Sequence, residues 1–297
     1  MAHGQTVLWV VAASFSAACG ASPGDLEIRS RVESSEIVLR TSARYAGAVA
    51  SLHFRGIEYI DIKDHGRQMQ SASSFDRLGE CYNPTEAGNR ADRGRSTSRL
   101  LRAVSGTSWL ETQTEMAFWL PPGTDYGRSC GRRPEVRRAV NTGERGGHLL
   151  RKRISFVEGI PGLLLYEAAY YVPEARSSAV FEATTAYMPK RFSEHWLFRM
   201  ETGELLRADR EGEQALPVIL ASADGRHAMG VWSPELPQEG VGYGRFTFPD
   251  VEKWNCVFRA RDIRADTTYR YRCFVAVGTV EEVKRALQLA AQRYRAR

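Results

Sequence analysis

Residues 64–88, DHGRQMQSASSFDRLGECYNPTEAG, bring His65, Arg67, Gln68, Gln70, Glu80, Asn83 and Glu86 together in one short stretch. These side chains suit work on a sugar. Amides give and accept hydrogen bonds with hydroxyls, a guanidinium fork grips carboxylates, and an imidazole beside a carboxylate moves protons. If residues 65–72 are extended, His65 and Arg67 face one way while Gln68 and Gln70 face the other. A strand buried on both sides would leave those groups without partners, whereas a strand lining a groove would not. His65 is therefore the candidate acid/base, with Glu86 or Tyr166 opposite it. Arg67, Gln68, Gln70 and Asn83 are the candidates that position substrate. A polar surface loop pinned at Cys81 would carry the same composition.

Two further groupings carry chemistry. The runs 163–172 and 179–188 flank PEARSS, which reads as a hairpin turn. A turn centred between Glu174 and Ala175 sets Glu167 opposite Glu182, a carboxylate pair of the kind that cleaves glycosidic bonds. His195 and Trp196 in SEHWLF offer an imidazole and a ring face for stacking, although the same pattern suits a core strand. Tyr166, Tyr170 and Tyr187 are candidates for the same cleft, while rows of tyrosine in sheets commonly serve packing. Asp61, Asp64 and Glu86 supply oxygens suited to Ca²⁺, but their spacing defines no coordination shell, so neither metal nor cofactor is expected.

The elements that must position these residues are strands. From Glu36 to Gly278 the sequence alternates short apolar or half-apolar runs with turn residues. The longest irregular stretch runs from Pro121 to Gly147 and reads as a surface loop. Only the end is helical: in TVEEVKRALQLAAQRYRAR, Thr279 caps, acids fill the first turn, and Val283, Leu287 and Ala290 share a face. The expected fold is all-β, a large antiparallel two-sheet sandwich with a C-terminal helix, spanning residues 22–297 as one domain.

The closing pattern YRYRCFVAVGTVEEVKRAL resembles the end of galactose-mutarotase-like proteins, where a long strand runs into a T-x-E-E helix. The pattern LHFRGIEYIDI followed by DHGRQMQ resembles the opening of that superfamily, where a strand delivers a glycine-containing loop to the sugar cleft. The resemblance implies a supersandwich with a carbohydrate site. The N-H-x-Y-F-N segment of aldose epimerases is absent, which leaves lyase, glycosidase, epimerase and silent binder open.

Compartment and exclusions follow from the rest of the chain. The apolar run Val7–Ala18 within residues 1–21 reads as an export signal, with Cys19 as a lipidation candidate in a lipoprotein-like box. An extracytoplasmic location is expected, either periplasmic, outer-membrane-anchored or secreted. The membrane enters only through a lipid anchor. Cys81, Cys130, Cys256 and Cys273 then allow two disulfides in three connectivities. A hairpin centred between Arg264 and Ala265 sets Cys256 opposite Cys273 and leaves Cys81 for Cys130.

The basic residues behind the net charge of +6 are overwhelmingly arginine, the five lysines are scattered, and no basic helix or stripe emerges, so nucleic acid is not an expected partner. No GxSxG, Walker, GxGxxG or HExxH pattern occurs, which argues against serine hydrolases, nucleotide enzymes and zincins. The reading is an exported carbohydrate-active enzyme acting on a glycan. A non-catalytic glycan-binding surface lipoprotein is the alternative, and a plain envelope structural protein a third.

Overall fold

The structure, a computed structural model, describes residues 24–294. The expected export signal and Cys19 lie outside the described residues. The first four strands, β1 (Leu26–Val32), β2 (Ser35–Thr41), β3 (Val49–Phe54) and β4 (Ile57–Glu58), form a small antiparallel sheet. The next fifteen form one large sheet. In chain order they are β5 (Gln70–Phe75), β6 (Pro84–Thr85), β7 (Arg99–Ser105), β8 (Trp109–Phe118), β9 (Arg145–Phe156), β10 (Leu163–Val172), β11 (Arg176–Pro189) and β12 (Glu194–Arg199). They continue as β13 (Glu204–Arg207), β14 (Gly212–Gln214), β15 (Val218–Ala221), β16 (Ala228–Trp232), β17 (Tyr243–Thr247), β18 (Val251–Ile263) and β19 (Thr267–Gly278). The helix α1 (Val280–Tyr294) closes the chain.

The large sheet doubles back on itself, so the expected two-layer antiparallel sandwich with a C-terminal helix is what forms. One layer runs β13-β12-β15-β16-β19-β10-β9-β8, with β7 on β8, and the other runs β6-β5-β11-β18-β17-β14. Alternation in β10 sends Leu164, Tyr166, Ala168, Tyr170 and Val172 inward, where they are buried. Across the core, Tyr170 packs on Phe181 of β11 at 4.9 Å and Phe258 of β18 stacks on Tyr271 of β19 at 4.4 Å. Burying two such aromatic rows against each other is what holds the layers together.

This packing corrects two expected hairpins. Strand β10 pairs with β9 and β19, while β11 pairs with β5 and β18. Residues 173–175 therefore carry the chain from one layer to the other instead of turning within a sheet. Glu167 lies opposite Arg153 and Arg272 on the outer face of one layer, and Glu182 lies opposite Ala72 and Val257 in the other. They are not a pair. The same holds for β18 and β19, whose connection arches through Asp262 and Asp266, both at φ 52°.

The cysteine partners are nevertheless those expected. Cys256 bonds Cys273, strapping the layers across the core rather than bridging a hairpin, and Cys81 bonds Cys130. Helix α1 starts on a reciprocal cap, in which Glu282 N donates to Thr279 Oγ1 and Thr279 N donates to the Glu282 carboxylate. Val283, Leu287 and Ala290 are buried beneath it.

Candidate functional site

A cleft of ≈ 240 Å³ opens on the outer face of the β5-β11-β18 layer. Its floor depends on a β-bulge. Ala72 and Gln70 of β5 sit two apart opposite Glu182 and Thr185 of β11, which sit three apart. The extra residue resets the alternation, so Glu182, Thr185 and Tyr187 all reach the cleft. In a regular strand Glu182 and Tyr187 would point to opposite faces. On β18, Lys253 stands in register between Tyr187 and Phe246 of β17, with its Nζ 5.3 Å and 5.5 Å from the two ring centroids. The same ammonium lies 3.2 Å from Glu182 Oε2.

The lip adds a second carboxyl. Glu80 sits in the 3-10 turn Gly79–Tyr82 after β5, fixed by the disulfide at its neighbour Cys81. Asn83 Nδ2 points to Glu80 Oε2 at 3.5 Å. Trp119 walls the cleft beside it, pressed so closely on Gly66 that a Cβ there would meet the indole at 2.6 Å. Only glycine leaves room for the ring. Phe248, at the turn between β17 and β18, completes the rim.

Electrostatics set the two carboxyls apart. Burial raises the Glu80 pKa above the ordinary carboxylate value; the charge of Glu182 adds to that shift and Lys253 opposes it. Burial works against the Lys253 ammonium, but Glu182, Tyr187 and Glu80 outweigh it and raise its pKa. Burial likewise raises the Tyr187 phenol, with Lys253 opposing. The cleft thus holds one carboxyl that burial biases toward its protonated form, a second carboxyl 3.2 Å from an ammonium, and a phenol that burial biases toward its neutral form.

Of the residues named from the sequence, Asp64, Arg67, Gln70, Glu80, Asn83, Glu182 and Tyr187 line this cleft. Two of the substrate-positioning candidates among them are already occupied. Arg67 is clamped between Asp250 Oδ2 at 2.7 Å and Asp64 Oδ2 at 3.0 Å. Gln70 ties the lip together, its Nε2 donating to Gly66 O and its Oε1 accepting from Ala87 N, both at 2.9 Å.

The others lie elsewhere. His65 is buried, with Nδ1 2.9 Å from Ala87 O, its ring edge-on to Tyr45 at 4.9 Å, and Asp92 at 3.9 Å. Gln68 is buried behind the lip, its Nε2 donating to Asp64 O. Glu86 is fully buried in an ion pair with Lys152 and accepts from Ser71 N at 3.0 Å. Burial drives the Glu86 carboxyl up and the Lys152 amine down, and their contact opposes both shifts. Tyr166 is in the core, its hydroxyl 2.9 Å from Ser71 Oγ. None of these borders the cleft.

His195 and Trp196 belong to β12. Trp196 lies under Arg207 at 4.2 Å, and His195 Nε2 is 3.1 Å from Glu252 Oε2. Glu252 also takes Lys190, whose Nζ donates to Phe248 O at 3.1 Å, so this cluster braces the rim from behind. Burial lowers the His195 pKa, and Glu252 opposes that shift. Among the described residues no group of three or more His, Cys, Asp or Glu side chains is arranged to hold a metal.

Sequence reasoning names Glu80 without giving it a role and passes over Trp119, Phe248 and Lys253 as site residues. Two signals are present in it: Glu80 lies inside the polar 64–88 segment, and Lys253 is one of five lysines in an arginine-rich chain.

The chain matches no protein-family model and no curated protein. Solved structures with a similar fold include an aldose epimerase homologue from C. elegans, at 8% identity and TM-score 0.48 over 86% of this chain and 99% of that one. They also include an α-N-acetylgalactosaminidase from Bifidobacterium bifidum, at 10% identity and TM-score 0.46 over 89% of this chain and 39% of that one. A third is a heparan sulfate lyase from Pedobacter heparinus, at 8% identity and TM-score 0.44 over 86% of this chain and 35% of that one. The likeness is one of fold. Function has to be argued from this chain's own cleft.

Proposed function

We propose that the cleft binds a saccharide and carries out acid/base chemistry on it, with Glu80 as the proton donor and Glu182 as the base or nucleophile. The observation that supports this is the pairing of two carboxyls in one cleft with opposite surroundings. Glycosidic chemistry needs one carboxyl that keeps its proton and another that does not. Lys253 holds the Glu182 carboxylate in place and Tyr187 offers a neutral hydroxyl donor, while Trp119 and Phe248 present ring faces to a pyranose.

The cations of the floor favour a neutral sugar ring at the reacting position. Lys253 is engaged by Glu182, and Arg67 by Asp64 and Asp250. A uronate carboxylate seated there would find no unengaged cation, whereas an elimination at a uronic acid needs that charge neutralised. Hydrolysis or epimerisation therefore fits the floor better than a lyase reaction.

The two disulfides fit an oxidising compartment, and no helix among the described residues is long and apolar enough to cross a membrane. The disulfides, together with the leader-like residues 1–21, support export, with Cys19 as the lipidation candidate.

The test is a product assay on a panel of neutral and uronic-acid glycans, reading new reducing ends, anomer interconversion and unsaturated-product absorbance. Wild type, Glu80→Gln and Glu182→Gln are compared. The expected result is turnover without unsaturation, and a loss of about 10²–10⁴-fold in kcat in either variant. Unsaturated products, or activity indifferent to both substitutions, would sink the proposal. Glycan binding without turnover would instead support the non-catalytic alternative.

A further inference from the structure

Beside the cleft stands a basic flap. Residues 121–140 carry Arg128, Arg132, Arg133, Arg137 and Arg138 against only Asp125 and Glu135, a net +3 that is half of the chain's +6. All five arginines are exposed. Arg133 pairs with Glu135 at 2.6 Å and Arg138 with Asp125 at 3.4 Å. Arg128, Arg132 and Arg137 have no carboxylate partner among the described residues. Arg128 donates to Tyr126 Oη at 2.6 Å and lies 4.8 Å from that ring's centroid, and Arg137 donates to Gly127 O at 3.3 Å.

A loop this charged would normally wander, yet this one is held firmly against the cleft lip. Cys130 bonds Cys81, the residue after Glu80, with the two Cα atoms 5.6 Å apart. Arg132 N donates to Arg77 O at 2.8 Å, and Val140 N donates to Cys81 O at 3.0 Å. Gly131, at φ 55°, lies flat on the backbone of residues 77–79, where a Cβ would meet Arg77 O at 2.3 Å. A small apolar cluster of Cys81, Leu120, Cys130 and Ala139 is packed by Trp119, itself a cleft wall. Arg128 is close enough to Glu80 to act on its charge. The flap is thus joined to the acid side of the cleft by a disulfide, backbone hydrogen bonds and a shared apolar cluster.

We infer that the flap is a flanking subsite that recognises acidic groups of the glycan, so that the substrate is an anionic polysaccharide whose neutral unit occupies the cleft floor. This rests on the reading of the cleft as a saccharide site and names the substrate class for it. Three guanidiniums without carboxylate partners, at a fixed position, suit carboxylate or sulfate groups spaced along a chain, because a guanidinium engages either through two parallel hydrogen bonds. Pre-ordering by the disulfide removes the entropy that a free loop would lose on binding.

The test uses the full-length chain on native affinity gels containing hyaluronan, chondroitin sulfate or a neutral galactan, at ~0.05 M and ~0.5 M NaCl. One variant carries Arg128→Gln, Arg132→Gln and Arg137→Gln. A charge-matched control carries Arg102→Gln, Arg151→Gln and Arg270→Gln, on the outer face of the other layer. The expected result is retardation by at least one acidic glycan that high salt abolishes, weakened about tenfold in the flap variant and retained in the control. Equal loss in both variants would mean net charge alone and would overturn the inference, as would a flap variant that binds like wild type. Glu182→Gln run on the same gels keeps the two readings apart. A failed cleft reading shows as missing turnover with flap-dependent retardation intact, and a failed flap reading as turnover indifferent to the flap.

Discussion

Glu80 and Glu86 lie six residues apart in the same polar segment, and the fold puts them to opposite uses. Glu80 is half-buried at a cleft lip beside Glu182 and Lys253, and no cation among the described residues forms an ion pair with it. Glu86 is sealed between the layers with Lys152, whose Nζ also donates to Gly47 O at 2.7 Å. Burial raises both carboxyls. What differs is access. A group that can exchange a proton with a ligand is a candidate for chemistry, and a group with a permanent buried partner is part of the framework.

The largest change in stability should come from breaking the buried pair. Glu86→Ala leaves Lys152 uncompensated in the core and is expected to cost about 3 to 5 kcal/mol in denaturant unfolding. Replacing both partners with apolar residues of similar volume should recover much of that loss, and no recovery would mean that the pair is not acting as a unit. Next in size is the flap staple. Cys81→Ser with Cys130→Ser opens a loop of sequence separation 49 and should cost about 4 kcal/mol by chain entropy. Because the staple lies next to Glu80, this variant should also raise KM in the product assay, which loss of Glu86 has no local reason to do.

A smaller effect is expected at His65. Its ring is buried against Tyr45 and its Nδ1 meets Ala87 O. His65→Ala should destabilise by about 1 to 3 kcal/mol and leave kcat unchanged in the fraction that folds. A kcat loss there would return His65 to the mechanism and undo the contrast. The smallest and most discriminating effect concerns pH. The Glu80 pKa is raised on folding, so the native state is penalised above the ordinary carboxylate range, where the unfolded chain has already lost its proton. Glu80→Gln should therefore raise Tm at pH 8, with the gain shrinking as pH falls from the raised Glu80 pKa toward the ordinary glutamate value and vanishing below it. In turnover the sign is the mirror image, since wild-type rate should fall as pH rises through the Glu80 pKa.

Much of this fold is legible in the residues alone. Alternating runs mark the long strands, Thr279 with Glu282 marks the helix start, and the four cysteines pair as expected. Arg67, Gln70 and Asn83 stand out because polar residues crowd one short segment, although residues 65–68 form a turn ahead of β5 rather than the extended run expected. Other features depend on partners distant in sequence. A hairpin and an arch between layers share one local pattern, a turn between two alternating strands. Only the pairing of β10 with β19 and of β11 with β18 tells them apart. That is why the local pattern matches Glu167 to Glu182 wrongly, and why it reaches the correct pairing of Cys256 with Cys273 by a mistaken route. The bulge in β11 leaves no trace in composition, yet it alone puts Glu182 and Tyr187 on one face. Glu86 carries no sign of burial in its own segment, because its partner Lys152 arrives from β9.

The measurement that tests the central claim most directly is an NMR titration of the side-chain carboxyls in wild type and Glu182→Gln, which needs no knowledge of the substrate. Glu80 should titrate above the ordinary glutamate range, and removing the Glu182 charge should lower its midpoint. A Glu80 midpoint at or below the ordinary value, or one that Glu182→Gln leaves unmoved, would contradict a poised carboxyl pair in the cleft.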